Sequence, residues 1–453
     1  MPSFAINYLR RLKGQGVGAE FARKASGAFL ANAFGLAFAL ITQLIAARFL
    51  GVTDYGMFMY VLAWVNLLVI CATLGFDGAS IRFIAAYGGQ NDFAKMWLFG
   101  RFALENVLFL SVAISCVSVV VLLALGDWLT PQMARAFKFA VLLLPLFALQ
   151  QLGQAFLLAR KRVVAAQLFE SFPRNLILIL SILFGSWVLK IKFDAHFAIL
   201  STILGSIITI IYLGTFIIKI LPSRTETKLT AELKRDWVKA SFMLFLISGS
   251  QVLLARADLL LLGIYLTPAE CGVYAVASRI STLITFGITA INAVLAPTIA
   301  DFYFRQKRQE LQNVITIASL ATLLYAIPAL GCVWIFGKKL LLLFGPSFGS
   351  GYPALLLLSV GQLVIALTGS VGFLLTMTGH QSHAAGIIGA MAVLNIALNL
   401  LFIPHFGIVG AALATTAATV ARSCVLNYFV KSKLGIHASI LTTLIGKLKA
   451  IKV

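Results

Sequence analysis

The chain has 453 residues, of which 60% are hydrophobic and only 11% are charged, and its mean hydropathy is +0.98. A soluble domain cannot cover its surface with so few polar groups, so composition excludes a soluble enzyme and predicts a polytopic membrane protein. The formal net charge of +21 would suit a nucleic-acid partner in a soluble protein. In a membrane protein it is instead the signature of basic cytoplasmic loops, and we predict no nucleic-acid partner.

Apolar runs of about 20 residues, the length of a membrane-spanning helix, recur along the chain and are too long for barrel strands. An interfacial N-terminal segment is predicted at 1–25, where basic and apolar residues alternate. The first lobe (26–220) contains six predicted spans: 26–47, 55–74, 102–125, 137–158, 175–188 and 197–220. A cytoplasmic linker (221–239) separates it from a second lobe (240–431), and a basic tail (432–453) ends the chain. The second lobe contains the spans 240–264, 273–296, 314–336, 352–378, 384–402 and 408–430.

Lysine and arginine are concentrated in the loops on one side of these twelve spans, the side that also holds both termini. The positive-inside rule therefore predicts that both termini are cytoplasmic. The five cysteines are scattered and include no CxxC pair, so we predict neither a disulfide framework nor a metal site.

An internal duplication is the main organising feature of the sequence. The stretch 46–87 returns at 264–303 with a constant offset of 216 residues, which aligns Gly56 with Gly272 and Tyr87 with Tyr303. Because each copy contains an even number of spans, the two copies are predicted to be parallel repeats about an axis along the membrane normal. We therefore predict an all-α fold of two parallel six-helix lobes around a central cavity.

Charged residues at membrane depth cost at least roughly 2.5–3.5 kcal/mol and rarely persist without a partner, a cavity or a function. The seventh span contains Arg256 and Asp258, and the eighth contains Arg279, which is one candidate partner for Asp258. Arg82 and Arg256 are the stronger candidates for an anionic head group, since guanidinium binds phosphate oxygens in a bidentate manner. A side chain at the end of a span can also snorkel to the interface.

A polar stripe follows one side of the eighth span, at steps of three and four residues. It consists of Ser278, Thr282, Thr285, Thr289 and Asn292. Such a stripe serves either helix packing or a wet lumen, and Asn292 together with Arg279 favours the lumen. The complete predicted set of cavity residues is Asn32, Asn66, Arg82, Gln251, Arg256, Asp258, Arg279, Thr285, Thr289 and Asn292.

Two motifs of nucleotide hydrolysis and metalloprotease catalysis are absent from the sequence. It contains no GxxxxGK[ST] loop and no HExxH. We therefore predict that the protein is not an enzyme and has no cofactor. A coupling ion (H⁺ or Na⁺), a partner or the substrate's own gradient would supply the energy for any transport.

Several segments resemble the polysaccharide flippases of the multidrug, oligosaccharidyl-lipid and polysaccharide exporter superfamily. They are ARFLGVTDYGMF, GFDGASIRFIAAY, DLLLLGIYLTPAECGVYAVA and the long run from MTGHQSHAAG to ATTAATV. The resemblance spans nearly the whole chain and implies a MATE-like fold, with two six-helix lobes around a cavity that opens alternately to either side. It also implies an oligosaccharide on a polyprenyl diphosphate as substrate, and the bacterial inner membrane as location.

These observations predict a flippase that moves a lipid-linked oligosaccharide to the outer leaflet, with membrane lipids, a polysaccharide polymerase and glycosyltransferases as partners. A drug or organic-cation antiporter of the same superfamily is the first alternative, although it would need acidic groups in the cavity. A membrane scaffold of a polysaccharide assembly complex, without transport activity, is the second.

Overall fold

The computed structural model describes residues 17–124, 130–187, 193–220 and 230–436, and within these ranges every regular element is a helix. The first half contains α1 (Val17–Thr73), α2 (Phe76–Gly89), α3 (Phe93–Ala124), α4 (Pro131–Ala140), α5 (Leu143–Ala159), α6 (Val163–Trp187) and α7 (Ala195–Ile220). The second half contains α8 (Ala231–Tyr265), α9 (Pro268–Ser281), α10 (Leu283–Phe304), α11 (Arg308–Phe344), a 3₁₀ turn (Pro346–Gly351), α12 (Tyr352–Thr368), α13 (Val371–Met377) and α14 (Gln381–Leu434).

Ten helical segments in the described ranges are long and apolar enough to cross a membrane. Two of them, in α1 and α14, each contain a glycine with non-helical backbone angles, Gly51 at φ 76° and Gly407 at φ 55°. One helix ends and the next begins at each of these positions, which glycine tolerates because it has no Cβ. Counted as two helices each, α1 and α14 bring the number of crossing segments to twelve. The predicted all-α polytopic membrane fold is confirmed.

The two halves meet where the duplicated glycines lie. A Cβ on Gly56 would lie 1.7 Å from the Pro268 carbonyl oxygen and 2.8 Å from the Gly272 nitrogen, and a Cβ on Gly272 would lie 3.0 Å from the Gly56 Cα. Close contact between equivalent residues is what a pseudo-twofold axis between two repeats produces. Buried apolar side chains of both halves continue around this contact as one core.

A second close contact joins the halves at the break between α1 and α2. Leu74 and Gly75 have positive φ values of 44° and 76°, so the helix is interrupted there. A Cβ on Gly75 would lie 2.1 Å from the Ser241 carbonyl oxygen and 2.5 Å from the Phe245 nitrogen. The absence of a side chain therefore lets this junction pack directly on the backbone of α8.

The predicted lobe boundaries fall partly outside the described residues. Of the linker predicted at 221–239, residues 221–229 lie outside the description, and the rest forms mainly the first turns of α8. Trp237 in this part is fully buried, and its indole nitrogen donates a hydrogen bond to the Tyr87 hydroxyl at 3.0 Å. Residues 1–16 of the predicted interfacial segment and 437–453 of the predicted tail also lie outside the description.

Candidate functional site

A cavity of about 720 Å³ lies between the two halves. Residues of α1, α5, α6 and α7 line it from the first half, and residues of α8 and α9 line it from the second. Its volume falls in the range of roughly 300–1,000 Å³ that is usual for ligand pockets. The offset-related pairs Ala39 and Ala255, and Thr42 and Asp258, all line it. Both copies of the repeat therefore contribute equivalent positions to one cavity.

An arginine pair, Arg256 on α8 and Arg279 on α9, lines the cavity from the second half. The two side chains lie within electrostatic range of each other, and among the described residues neither forms an ion pair. Among the described residues, the buried Nε of Arg279 has no hydrogen-bond partner, and neither has the hydroxyl of Tyr55, which lies within electrostatic range of Arg279. Unpaired charge at membrane depth is costly, so a bound anion would stabilise this group of donors.

Asp258 is the acidic residue of the cavity lining, and neutral side chains surround its carboxylate. The carboxylate accepts hydrogen bonds from the Tyr274 hydroxyl at 2.7 Å, from Asn399 Nδ2 at 2.8 Å and from the Thr415 hydroxyl. The residue is only 6% exposed. The structure does not form the ion pair with Arg279 that the sequence suggested, because three neutral donors on α9 and α14 satisfy the carboxylate instead.

Asn395 completes this group, which we call the Asp258 cluster: Asp258, Tyr274, Asn395, Asn399 and Thr415. Asn395 Nδ2 donates to the Thr415 hydroxyl at 3.2 Å, and Asn399 Nδ2 lies 2.9 Å from the Asn395 carbonyl oxygen. The Asn399 Oδ1 atom is buried and has no hydrogen-bond partner among the described residues. The cluster therefore places several oxygen atoms around one buried carboxylate at the cavity wall.

The polar stripe is divided between two roles by the break between α9 and α10. Ser278 and Thr282 line the cavity. Beyond the break, Thr285 donates a hydrogen bond to Gln362 Oε1 at 2.9 Å, and Asn292 accepts one from the residue that precedes α13. These two residues therefore join α10 to its neighbours, and the structure does not bring them to the cavity.

The remaining predicted residues separate in the same way. Asn66 lines the cavity, whereas Arg82 and Gln251 are exposed and lie outside its lining. The guanidinium of Arg82 lies instead over the neighbouring aromatic ring at 5.5 Å. The side chains of Asn32 and Thr289 lie outside the described part of the structure.

Sequence reasoning missed most of the polar lining contributed by the first half, because it followed charges and these residues are mainly amides. The missed amides are Gln43, Gln150, Gln151, Gln154 and Asn175. Arg174 also lines the cavity, although its position at the end of a span suggested snorkelling. A signal was present, since three glutamines stand within five positions of an otherwise apolar span, and residues four apart share a helix face. Amides inside a membrane helix require partners or water just as charges do, at a smaller cost.

Fold and cavity together define a polytopic helical protein with the architecture of a transporter. The inward-facing form of a multidrug resistance MATE family transporter of the MOP superfamily has a similar fold, with a TM-score of 0.71, 14% identity, and coverage of 95% of this chain and 98% of that one. The lipid II flippase MurJ in an inward closed conformation is similar with a TM-score of 0.73, 15% identity, and coverage of 89% and 87%.

The family model for polysaccharide biosynthesis proteins matches residues 21–303, and this chain belongs to that family. A relative from Haloferax volcanii, the probable low-salt glycan biosynthesis flippase Agl15, is 24% identical over 427 residues, which cover 91% of this chain and 85% of the relative. The expected likeness to the polysaccharide flippases of this superfamily is confirmed.

Proposed function

We propose that this protein is a flippase that moves a diphosphate-linked lipid oligosaccharide between the leaflets of a membrane by alternating access. The observation that carries this proposal is the arginine pair, which has no acidic partner among the described residues and lines a cavity between two parallel repeats. Guanidinium groups bind diphosphate oxygens through charge-assisted hydrogen bonds. The related proteins are named as glycan and lipid II flippases, which agrees with such a ligand.

In this mechanism the diphosphate binds between Arg256 and Arg279. The Tyr55 hydroxyl, which has no hydrogen-bond partner in the described part of the chain, adds a further donor. The sugar enters the cavity and the lipid tail stays in the bilayer. With both termini cytoplasmic, the contact between Gly56 and Gly272 lies at the outer end of the molecule and closes it. Rocking of one repeat against the other then opens this contact and exposes the head group to the outer side.

Location and partners follow from the same proposal. We infer from the basic loops that both termini are cytoplasmic, and that the protein works beside the glycosyltransferases that build its substrate and a polymerase that consumes it. The Haloferax relative is archaeal, so we propose the cytoplasmic membrane in general as the location, and a bacterial inner membrane is one instance of it.

The Asp258 cluster is our candidate for the coupling ion, either H⁺ or Na⁺. A buried carboxylate with hydroxyl and amide groups around it can take up a proton or offer hard oxygen ligands to a small cation. Because neutral donors already occupy this carboxylate, it is a poor site for a bulky organic cation. This arrangement argues against the drug-antiporter alternative.

The direct test is a flipping assay with the full chain in proteoliposomes that contain farnesyl-diphosphate-linked N-acetylglucosamine. An impermeant galactosyltransferase outside, supplied with UDP-galactose, reports each sugar that reaches the outer leaflet. Arg256→Gln and Arg279→Gln should each lower the rate about 10- to 100-fold, the worth of a hydrogen bond to a charged group.

Arg82→Gln is the matched control, because that arginine is exposed and lies outside the cavity lining. It should flip the probe at the wild-type rate. A wild-type protein that moves no probe while still assembling with the polysaccharide machinery would support the scaffold alternative. Normal flipping by both cavity-arginine variants would show that the diphosphate binds elsewhere.

A further inference from the structure

The first half of the cavity carries a group of amides that complements the arginine pair of the second half. We call it the amide wall: Gln43 and Asn66 on α1, and Gln150 and Gln151 on α5. None of these side chains carries a charge. The two halves therefore present different chemistry to the same cavity.

Hydrogen bonds fix the orientation of three of these amides, those of Asn66, Gln150 and Gln151. Asn66 Nδ2 donates to the Leu62 carbonyl oxygen at 2.6 Å, and Gln150 Nε2 donates to the Ser206 carbonyl oxygen at 3.0 Å. A carbonyl oxygen can only accept a hydrogen bond, so it selects the NH₂ end of the amide. The amide oxygen then becomes the end that is available to a ligand.

In Gln151 and Gln43, too, the oxygen is the end of the amide that lacks a hydrogen-bond partner among the described residues. Gln151 Nε2 donates to the Asp77 carboxylate at 2.8 Å, and an ionised carboxylate also only accepts. The Oε1 atom of Gln43 is buried and has no hydrogen-bond partner among the described residues. Among the described residues, no donor is hydrogen-bonded to the amide oxygen of any of these four side chains. The Gln43 oxygen is also buried, and a buried oxygen in this state is costly unless a ligand or water donates to it.

We propose that the amide wall is the sugar subsite of the cavity, an inference that rests on the proposed flippase function. Sugar hydroxyls are hydrogen-bond donors and would pair with the amide oxygens, whereas diphosphate oxygens are acceptors and would be repelled by them. The arginine pair has the opposite preference. The substrate is therefore held in one orientation, with its diphosphate on the second half and its first sugar on the first half.

The wall also sets a preference among sugars. Neutral, hydroxyl-rich rings are favoured next to the diphosphate, because a carboxylate on the first sugar would face acceptors. Arg174 belongs to the same half of the lining, and its guanidinium lies 5.0 Å from the centre of the Phe147 ring. Arg174 is a donor on the same side and can contribute to binding of either probe. The sugar subsite is therefore tested by the ratio of the affinities for probes with and without a sugar.

The test compares two probes on the full chain in detergent: farnesyl diphosphate, and farnesyl-diphosphate-linked N-acetylglucosamine. Gln43→Met, Asn66→Leu and Gln150→Met keep the size of each side chain and remove its amide. Each should weaken binding of the sugar-bearing probe about three- to tenfold and change farnesyl diphosphate binding less than twofold. Gln251→Met is the matched control, since Gln251 is exposed outside the cavity lining, and it should alter neither affinity.

The outcomes separate this inference from the function on which it rests. Should the wild type bind neither probe, the proposed function itself fails. Should the wild type bind both probes and the amide variants leave both affinities unchanged, or lower both equally, the sugar subsite is wrong while the diphosphate site stands. Gln43→Met removes no hydrogen bond of the Gln43 oxygen, so its folding should be intact, and a melting temperature equal to that of the wild type verifies this.

Discussion

Shifting the numbering of the first half by 216 residues places a neutral residue on every charged position of the second half's cavity wall. The pairs are Leu40 and Arg256, Thr42 and Asp258, and Ala63 and Arg279. The same shift places Gly56 on Gly272, and these two glycines are in contact. Gly56 and Gly272, which pack the halves together, are thus identical in the two copies, whereas these three pairs differ in charge.

This difference matches the chemistry of the proposed substrate. A head group with an anionic diphosphate at one end and a neutral sugar at the other is itself asymmetric, and two identical walls would bind it equally in two orientations. In the proposed function, the arginine pair on one half and the amide wall on the other remove that ambiguity. The contact between Gly56 and Gly272 would then serve motion and stability, and the unequal cavity residues would serve recognition.

The largest effect is expected from breaking the symmetric contact. In Gly56→Ala the new Cβ would stand 1.7 Å from the Pro268 carbonyl oxygen, which is backbone and cannot move aside without separating the helices. Overpacking of this kind costs about 1–3 kcal/mol or more, so the melting temperature should fall and flipping should be lost. Gly386→Ala is the control, because a Cβ there meets nothing within 4 Å. Equal melting temperatures for the two variants would contradict the close contact.

A second, smaller effect is expected when one charged position of the second half is replaced by its counterpart. Asp258→Thr introduces the residue that the first half has at Thr42 and keeps a hydroxyl beside Tyr274 and Thr415. The rate of flipping driven by an imposed H⁺ or Na⁺ gradient should fall at least about tenfold. Loss of a residue that only hydrogen-bonds a cation's ligand already costs about that much, and Asp258 is proposed as the ligand itself.

Binding of farnesyl diphosphate should change less than twofold in the same variant, since Asp258 is assigned to the ion and not to the diphosphate. Imposing the H⁺ and Na⁺ gradients separately identifies the ion. A variant that keeps its gradient dependence but loses diphosphate affinity would move Asp258 to the substrate site.

The fold followed from the sequence because a membrane leaves few choices. Once apolar runs of spanning length recur, only helices satisfy the backbone, and the even number of spans in each copy makes the copies parallel. The arginine pair was also visible in the sequence, since an arginine at membrane depth stands out by its cost.

The rest of the site depended on tertiary contacts that no local pattern reports. Asn399 and Thr415 meet Asp258 across more than a hundred residues of chain, from two segments of α14 whose patterns show only apolar spans. Arg82 was selected for its charge and its position at the end of a span, yet the structure places it outside the cavity. The amides were overlooked because a neutral polar residue in a membrane helix has packing as its ordinary explanation.

The smallest predicted effect separates the two parts of the polar stripe. Thr285→Val keeps the shape of the side chain and removes the hydrogen bond to Gln362 at 2.9 Å, so it should cost about 0.5–1.5 kcal/mol of stability and leave flipping unchanged. Thr282→Val, one helical turn away in the cavity lining, removes only a local hydrogen bond to the Arg279 carbonyl oxygen at 2.7 Å. It should therefore lower the flipping rate with a smaller change in melting temperature. The reverse pattern would extend the wet surface beyond the break between α9 and α10. The cavity would then continue along α10, and Thr285 would face the substrate instead of joining two helices.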